Sequence, residues 1–209
     1  MKIGIMGGTF DPIHKGHLML GEYAYQQYSL DQIWFMPNGN PPHKSSETIE
    51  SKSRNRVEMV KRAIAGKEYF ALQLYEVENK AVNYSYKTME HFKDIYPEHE
   101  FYFIIGADSL FSLETWVCPD RLLKTCTILA AYRDEKGTDE MMSQIQYLNK
   151  KYDADIRLLN TPNVDISSSE IRERIKEGIS IRELVPETVF EYIEEKQLFR
   201  DEEDESAKN

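Results

Sequence analysis

The chain has 209 residues, of which 41% are hydrophobic and 30% charged, and a formal net charge of −10 at pH 7. That length holds one α/β domain with a sizeable core and leaves little room for a second. The negative balance argues against a nucleic-acid backbone as partner, since such binding relies on counterion release by Lys and Arg, and the only cysteines, Cys118 and Cys126, lack the spacing of a metal site or disulfide framework.

Lys2 to Met6 is a short apolar run stopped by Gly7 and Gly8, which reads as a buried strand entering a tight turn. Thr9 to Pro12 follow as loop. His14 and His17 then flank Lys15 and Gly16 just before the helix-permissive segment Leu18 to Tyr28. Free backbone N–H groups and the positive end of a helix dipole point outward at such a junction, so it suits phosphate. Two imidazoles beside an anion seat fit phosphoryl or nucleotidyl transfer, where the enzyme aligns attacker and leaving group and neutralises oxygen charge. The plainer reading is a turn whose histidines pack or cap. The amino-terminal run is too short for a signal-peptide core, and no later apolar stretch approaches membrane-spanning length, so a cytoplasmic protein with no membrane partner is expected.

Gln32 to Met36 is a second apolar strand. It runs into PNGNPPHKSS, where Pro37, Pro41 and Pro42 disfavour regular structure and Asn38, Gly39, Asn40, His43 and Lys44 offer polar groups at a strand end. Ser51 to Gly66 reads as an amphipathic helix with Val57, Val60 and Ile64 inward. Phe70 to Val77 alternates like a third strand, and Tyr84 to Ile95 returns as a helix with Ser85 and Thr88 near its start. Phe101 to Ile105 is the clearest buried strand. Beyond Gly106, Asp108 is placed either to accept ribose hydroxyls or to cap a helix.

Asp120 to Lys124 forms a helical turn and Thr127 to Ala131 a fifth strand, with Arg133 just past it, suited to phosphate or carboxylate or to an ordinary surface ion pair. Asp139 to Tyr152 is a polar helix with Ile145 and Leu148 inward, and Ile156 to Leu159 a last strand. In Val164 to Ile175, Ser167 and Glu170 fit a capping box; the same geometry aims Ser167, Ser168, Ser169 and Arg172 at one point, as a phosphate requires. Pro186 to Gln197 closes the fold. Residues 1–200 are thus expected to form one domain, followed at 201–209 by an acidic tail expected to be disordered. Alternating strands and helices argue for a doubly wound parallel sheet with ligands at its carboxyl edge.

The run GGTFDPIHKGH resembles the signature of the HxGH nucleotidyltransferase superfamily, and in this form most resembles the bacterial nicotinate mononucleotide adenylyltransferases. Three later segments are similar to that family's: PPHK after the second strand, GADSLFSLETW after the fourth, and ISSSEIR near the end. The resemblance implies a single-domain, Rossmann-like α/β fold and transfer of AMP from ATP to nicotinate mononucleotide. It implies His14, His17 and Arg172 as catalytic. Gly7, Gly8, Thr9, Phe10, Lys44, Asp108, Ser167, Ser168 and Ser169 would hold ATP, with Asp108 at its ribose. Asn38, His43, Ser85, Trp116 and Arg133 would hold the mononucleotide, Trp116 against its ring. Mg²⁺ would arrive with ATP, since no acidic metal cage is visible. The chain departs from the pattern at Ser85 and Ser169, where the family carries Thr, and at Val117, where it often carries Tyr. The rival readings are an adenylyltransferase for nicotinamide mononucleotide and, in another class, a non-catalytic nucleotide-binding module. The missing Gly-x-Gly-x-x-Gly and the paired histidines weigh against the second.

Overall fold

The computed structural model describes residues 1–39, 52–79, 81–132, 138–162 and 165–200. Six strands, β1 (Lys2–Gly8), β2 (Gln32–Pro37), β3 (Phe70–Leu72), β4 (Glu100–Gly106), β5 (Thr127–Tyr132) and β6 (Ile156–Asn160), make one sheet in the order β3-β2-β1-β4-β5-β6. All five pairings are parallel. The helices are α1 (Lys15–Tyr28), α2 (Ser53–Ile64), α3 (Tyr75–Glu78), α4 (Ser85–Ile95), α5 (Ala107–Phe111), α6 (Pro119–Thr125), α7 (Thr138–Tyr152), α8 (Ser168–Lys176) and α9 (Glu187–Lys196), with a 3₁₀ turn at Leu113–Thr115.

A sheet covered on both faces must send alternate side chains of each strand into two separate cores. In β4, Tyr102 and Ile104 enter one core, with Met59 and Val60 of α2, Ile171 of α8 and Val189 of α9. Phe101, Phe103 and Ile105 enter the other, with Met89 and Phe92 of α4, Leu122 of α6 and Leu148 of α7. Burial pushes the Cys126 thiol, at the edge of this second core, up to about 12. It is an inert core group.

Most expected elements form, with ends displaced by a residue or two. Pro37 closes β2 opposite Gly8 rather than beginning the loop. It is the last residue of the strand, where the absent N–H is tolerated. The expected third strand is mostly not a strand. Pairing stops at Leu72, the Gln73 N–H still reaches the Phe35 carbonyl at 2.9 Å, and the chain then turns into α3. Gln73 itself drives the turn, its Oε1 accepting from the Tyr75 N–H at 3.1 Å. The alternation in FALQLYEV reflects a short strand and one helical turn that each bury part of their surface. Residues 201–209 lie outside the described residues.

Candidate active site

The strand order reverses between β1 and β4, so their carboxyl ends part and leave a crevice, the usual ligand seat of such sheets. A cavity of about 350 Å³ lies there. Its lining includes Gly7 of β1, His17 of α1, Asn38 beyond β2, Ser85 of α4, Gly106 of β4 and Trp116 beyond the 3₁₀ turn. The lining mixes polar side chains such as His17, Asn38 and Ser85 with aromatic and aliphatic ones such as Phe103, Trp116 and Leu122, which suits a flat ring bearing a charged substituent.

Both histidines belong to the start of α1. His14 is its N-cap in extended conformation and is buried; His17 is the third helical residue and is half-buried, not ahead of the helix as the sequence suggested. Their rings stack, centroids 3.7 Å apart at 30°. The backbone N–H of His14 donates to His17 Nδ1 at 3.3 Å. An Nδ1 that accepts leaves Nε2 to carry the proton of the neutral ring, so His17 presents an N–H donor from its far edge. Phe10 meets that ring edge-on at 5.0 Å and 80°. Its side chain is core, and any contact it makes with a nucleotide comes from its backbone.

The loop between β1 and α1 is held from two sides. Arg172 of α8 donates from Nη1 to the Asp11 carbonyl at 2.8 Å, and Ser168 Oγ donates to the Pro12 carbonyl at 2.9 Å. Ser167 caps α8, accepting from the Glu170 N–H at 3.1 Å, while the Glu170 carboxylate pairs with Arg174. Only the Ser167 half of the expected capping box is thus seen. Ser167 and Ser169 are exposed at the helix N-terminus. From the other side Arg56 of α2, a residue the sequence reading passed over, reaches the Thr9 and Asn38 carbonyls at 2.8 Å each.

Ser85 is the first residue of α4 and Trp116 stands edge-on to Phe103 at 6.5 Å, both on the cavity. Asn38 Oδ1 is buried with no hydrogen-bond partner among the described residues. Asp108 is exposed as the second residue of α5, whose N-cap is Gly106, and it does not line the cavity. His43, Lys44 and Arg133 lie outside the described residues. Among the described residues no group of three or more His, Cys, Asp or Glu could hold a metal, and no helix is long and apolar enough to cross a membrane.

A buried polar cluster at the cavity centres on Glu76, which the sequence did not single out. Thr88 Oγ1 donates to Glu76 Oε1 at 2.8 Å, and Asn83 Nδ2 donates to the Glu76 carbonyl at 2.8 Å. Burial pushes the Glu76 carboxyl above its ordinary range, and the Thr88 hydrogen bond pulls partly back. A carboxyl raised on folding costs stability once the pH passes its unfolded value, because the folded state then either keeps a proton the unfolded chain has released or buries a charge. Glu76→Gln keeps an acceptor for Thr88 and removes the titration. Its melting temperature relative to the parent is therefore expected to climb in thermal melts as the pH rises above the ordinary carboxylate range, whereas a pH-independent difference would contradict the upward shift.

The family model for cytidylyltransferase-like proteins matches residues 5–174. A probable nicotinate-nucleotide adenylyltransferase of Lachnoclostridium phytofermentans is 45% identical over 92% of this chain and 96% of its own. This chain belongs to the nicotinate-nucleotide adenylyltransferase family. A second member, from Clostridium botulinum Alaska E43, is 42% identical over 96% of this chain and 99% of its own. The Plasmodium falciparum nicotinic acid mononucleotide adenylyltransferase complexed with NaAD shares the fold at a TM-score of 0.76 and 21% identity, over 95% of this chain and 97% of that one. Family membership makes the chain a nucleotidyltransferase and bears out the expected Rossmann-like α/β fold.

Proposed function

We propose that this protein transfers the adenylyl group of ATP to the phosphate of nicotinate mononucleotide, giving nicotinate adenine dinucleotide and pyrophosphate in NAD biosynthesis. The observation that carries the reading is the placement of His17, which lines the cavity at the switch point while its Nδ1 accepts the backbone N–H of the helix cap. The mononucleotide phosphate is already ionised near neutral pH, so no general base is required. One of its oxygens attacks the α-phosphorus of ATP in line, a P–O bond forms, and the bond from that phosphorus to the β-bridging oxygen breaks to release pyrophosphate.

His17 Nε2–H supplies a hydrogen bond to the α-phosphate oxygens as charge gathers on them, with His14 stacked behind it to hold its plane. Gly7, Gly8, Thr9 and Phe10 offer backbone to the phosphates, and Ser167, Ser168, Ser169 and Arg172, with Lys44, receive the leaving pyrophosphate. Asp108 meets the ribose of ATP. Trp116, Ser85 and Asn38 form the pyridine end, joined by His43 and Arg133. Magnesium would enter with ATP, its charge set against the phosphate oxygens.

Pyrophosphate release from MgATP is expected with nicotinate mononucleotide and far less with nicotinamide mononucleotide, followed by a coupled phosphate assay. Equal rates with the two would assign the site to pyridine mononucleotides at large; release with neither would refute the adenylyl-transfer reading.

A further inference from the structure

Arg56 is among the largest fully buried side chains described, at 1% exposure, and it stands on the inward stripe of α2 with Met59, Val60, Ala63 and Ile64. Burying a guanidinium costs several kcal/mol unless its charge and donors are well met. Here Nη1 donates to the Thr9 carbonyl, and Nη2 to the Asn38 carbonyl and to Ser53 Oγ at 3.2 Å, while Nε is buried with no partner among the described residues. Burial lowers its pKa and the Asp11 carboxyl raises it, but a guanidinium stays charged throughout. Core packing alone would be served better by leucine or methionine at this position.

The two carbonyls it holds belong to the turns after the neighbouring strands β1 and β2, and Asn38 lines the cavity. Within a trans peptide the C=O and the following N–H point in opposite directions. Drawing the Thr9 carbonyl inward therefore turns the Phe10 N–H outward, and drawing the Asn38 carbonyl inward does the same for Gly39. Phe10 sits at φ 52°, a conformation that a residue other than glycine keeps only when its surroundings enforce it.

We infer that Arg56 is a positioning residue for adenylyl transfer: its buried fork locks the turns after β1 and β2 into one unit, presenting the amides of the phosphate-binding turn while adding positive charge behind them. This rests on the reading under Proposed function, but its first test does not. In the full-length Arg56→Met and Arg56→Lys variants, hydrogen exchange by mass spectrometry is expected to quicken at least tenfold in peptides covering 7–13 and 36–39 together, with the strand interiors of β4 and β5 unchanged. In pyrophosphate release, kcat/KM is expected to fall about 100-fold for Met and about tenfold for Lys, which keeps the charge without the fork. In Arg56→Ala, free guanidinium at tens of millimolar should restore part of the rate where ethylammonium does not. Unchanged exchange in either turn, exchange raised equally across the chain, or full activity in Arg56→Met would each overturn the inference. If the parent enzyme released no pyrophosphate while the two turns still loosened together, the adenylyl-transfer reading would fall and the role of Arg56 in joining the turns would stand.

Discussion

His17→Ala is expected to lower kcat for pyrophosphate release by about 10²- to 10³-fold while moving the KM for ATP by less than about threefold, the pattern of a contact made mainly in the transition state. Two effects overlap in that variant. Nδ1 accepts the His14 N–H, so alanine also removes an N-terminal cap interaction of α1, at a cost of about 1 kcal/mol. His17→Asn separates them, since an Asn side-chain oxygen can still accept that N–H but no donor extends to the cavity. The melting temperature of the Asn variant should lie nearer the parent's while its rate stays as low as that of Ala. Recovery of rate along with stability would assign His17 to the helix cap alone, and a raised KM with unchanged kcat would place it in ground-state binding.

The layout of the fold and the meeting of the two histidines at the start of α1 were legible because they depend on local physics that leaves a pattern. Buried parallel strands are short apolar runs, the turn after β1 has paired glycines, and an imidazole pair at a helix start has few other uses at that spacing. What escaped notice depends on partners distant in the chain. Arg56 occupies a position that the helical period of Met59, Val60, Ala63 and Ile64 reserves for an apolar residue. The arginine on that stripe was itself a signal, but neighbouring Arg54, Glu58 and Arg62 make the segment read as an ordinary charged face. Glu76 was hidden by an alternation that mimicked a strand, and its burial makes sense only once Thr88 and Asn83 are folded against it. For Asp108 the sequence allows a ribose ligand or a cap; the cap falls to Gly106, and Asp108 stands exposed in the first turn of α5.

Gly39→Ala should produce the other large effect, through shape rather than charge. A Cβ there would lie 2.0 Å from the Glu76 carbonyl oxygen and 3.2 Å from Asn83 Nδ2. The first of these is backbone, so no rotamer change relieves the clash, and the turn after β2 must draw away from α3. That carbonyl also accepts the Asn83 hydrogen bond, so the displacement reaches the residues leading into Ser85. Asn38, Glu76, Asn83 and Ser85 all line the cavity. Overpacking of this kind costs about 1–3 kcal/mol, enough to lower the melting temperature by several degrees. The larger consequence falls on the substrate, because a misplacement of about 1 Å in positioning groups can cost about 100-fold. The Ala variant is therefore expected to lose about two orders of magnitude in kcat/KM for nicotinate mononucleotide. The KM for ATP, which the proposed reading assigns to the β1 and α8 side, should change little. A uniform loss for both substrates would mean that the contact supports the whole site; a parent-like KM for the mononucleotide, with stability lowered, would confine Gly39 to packing.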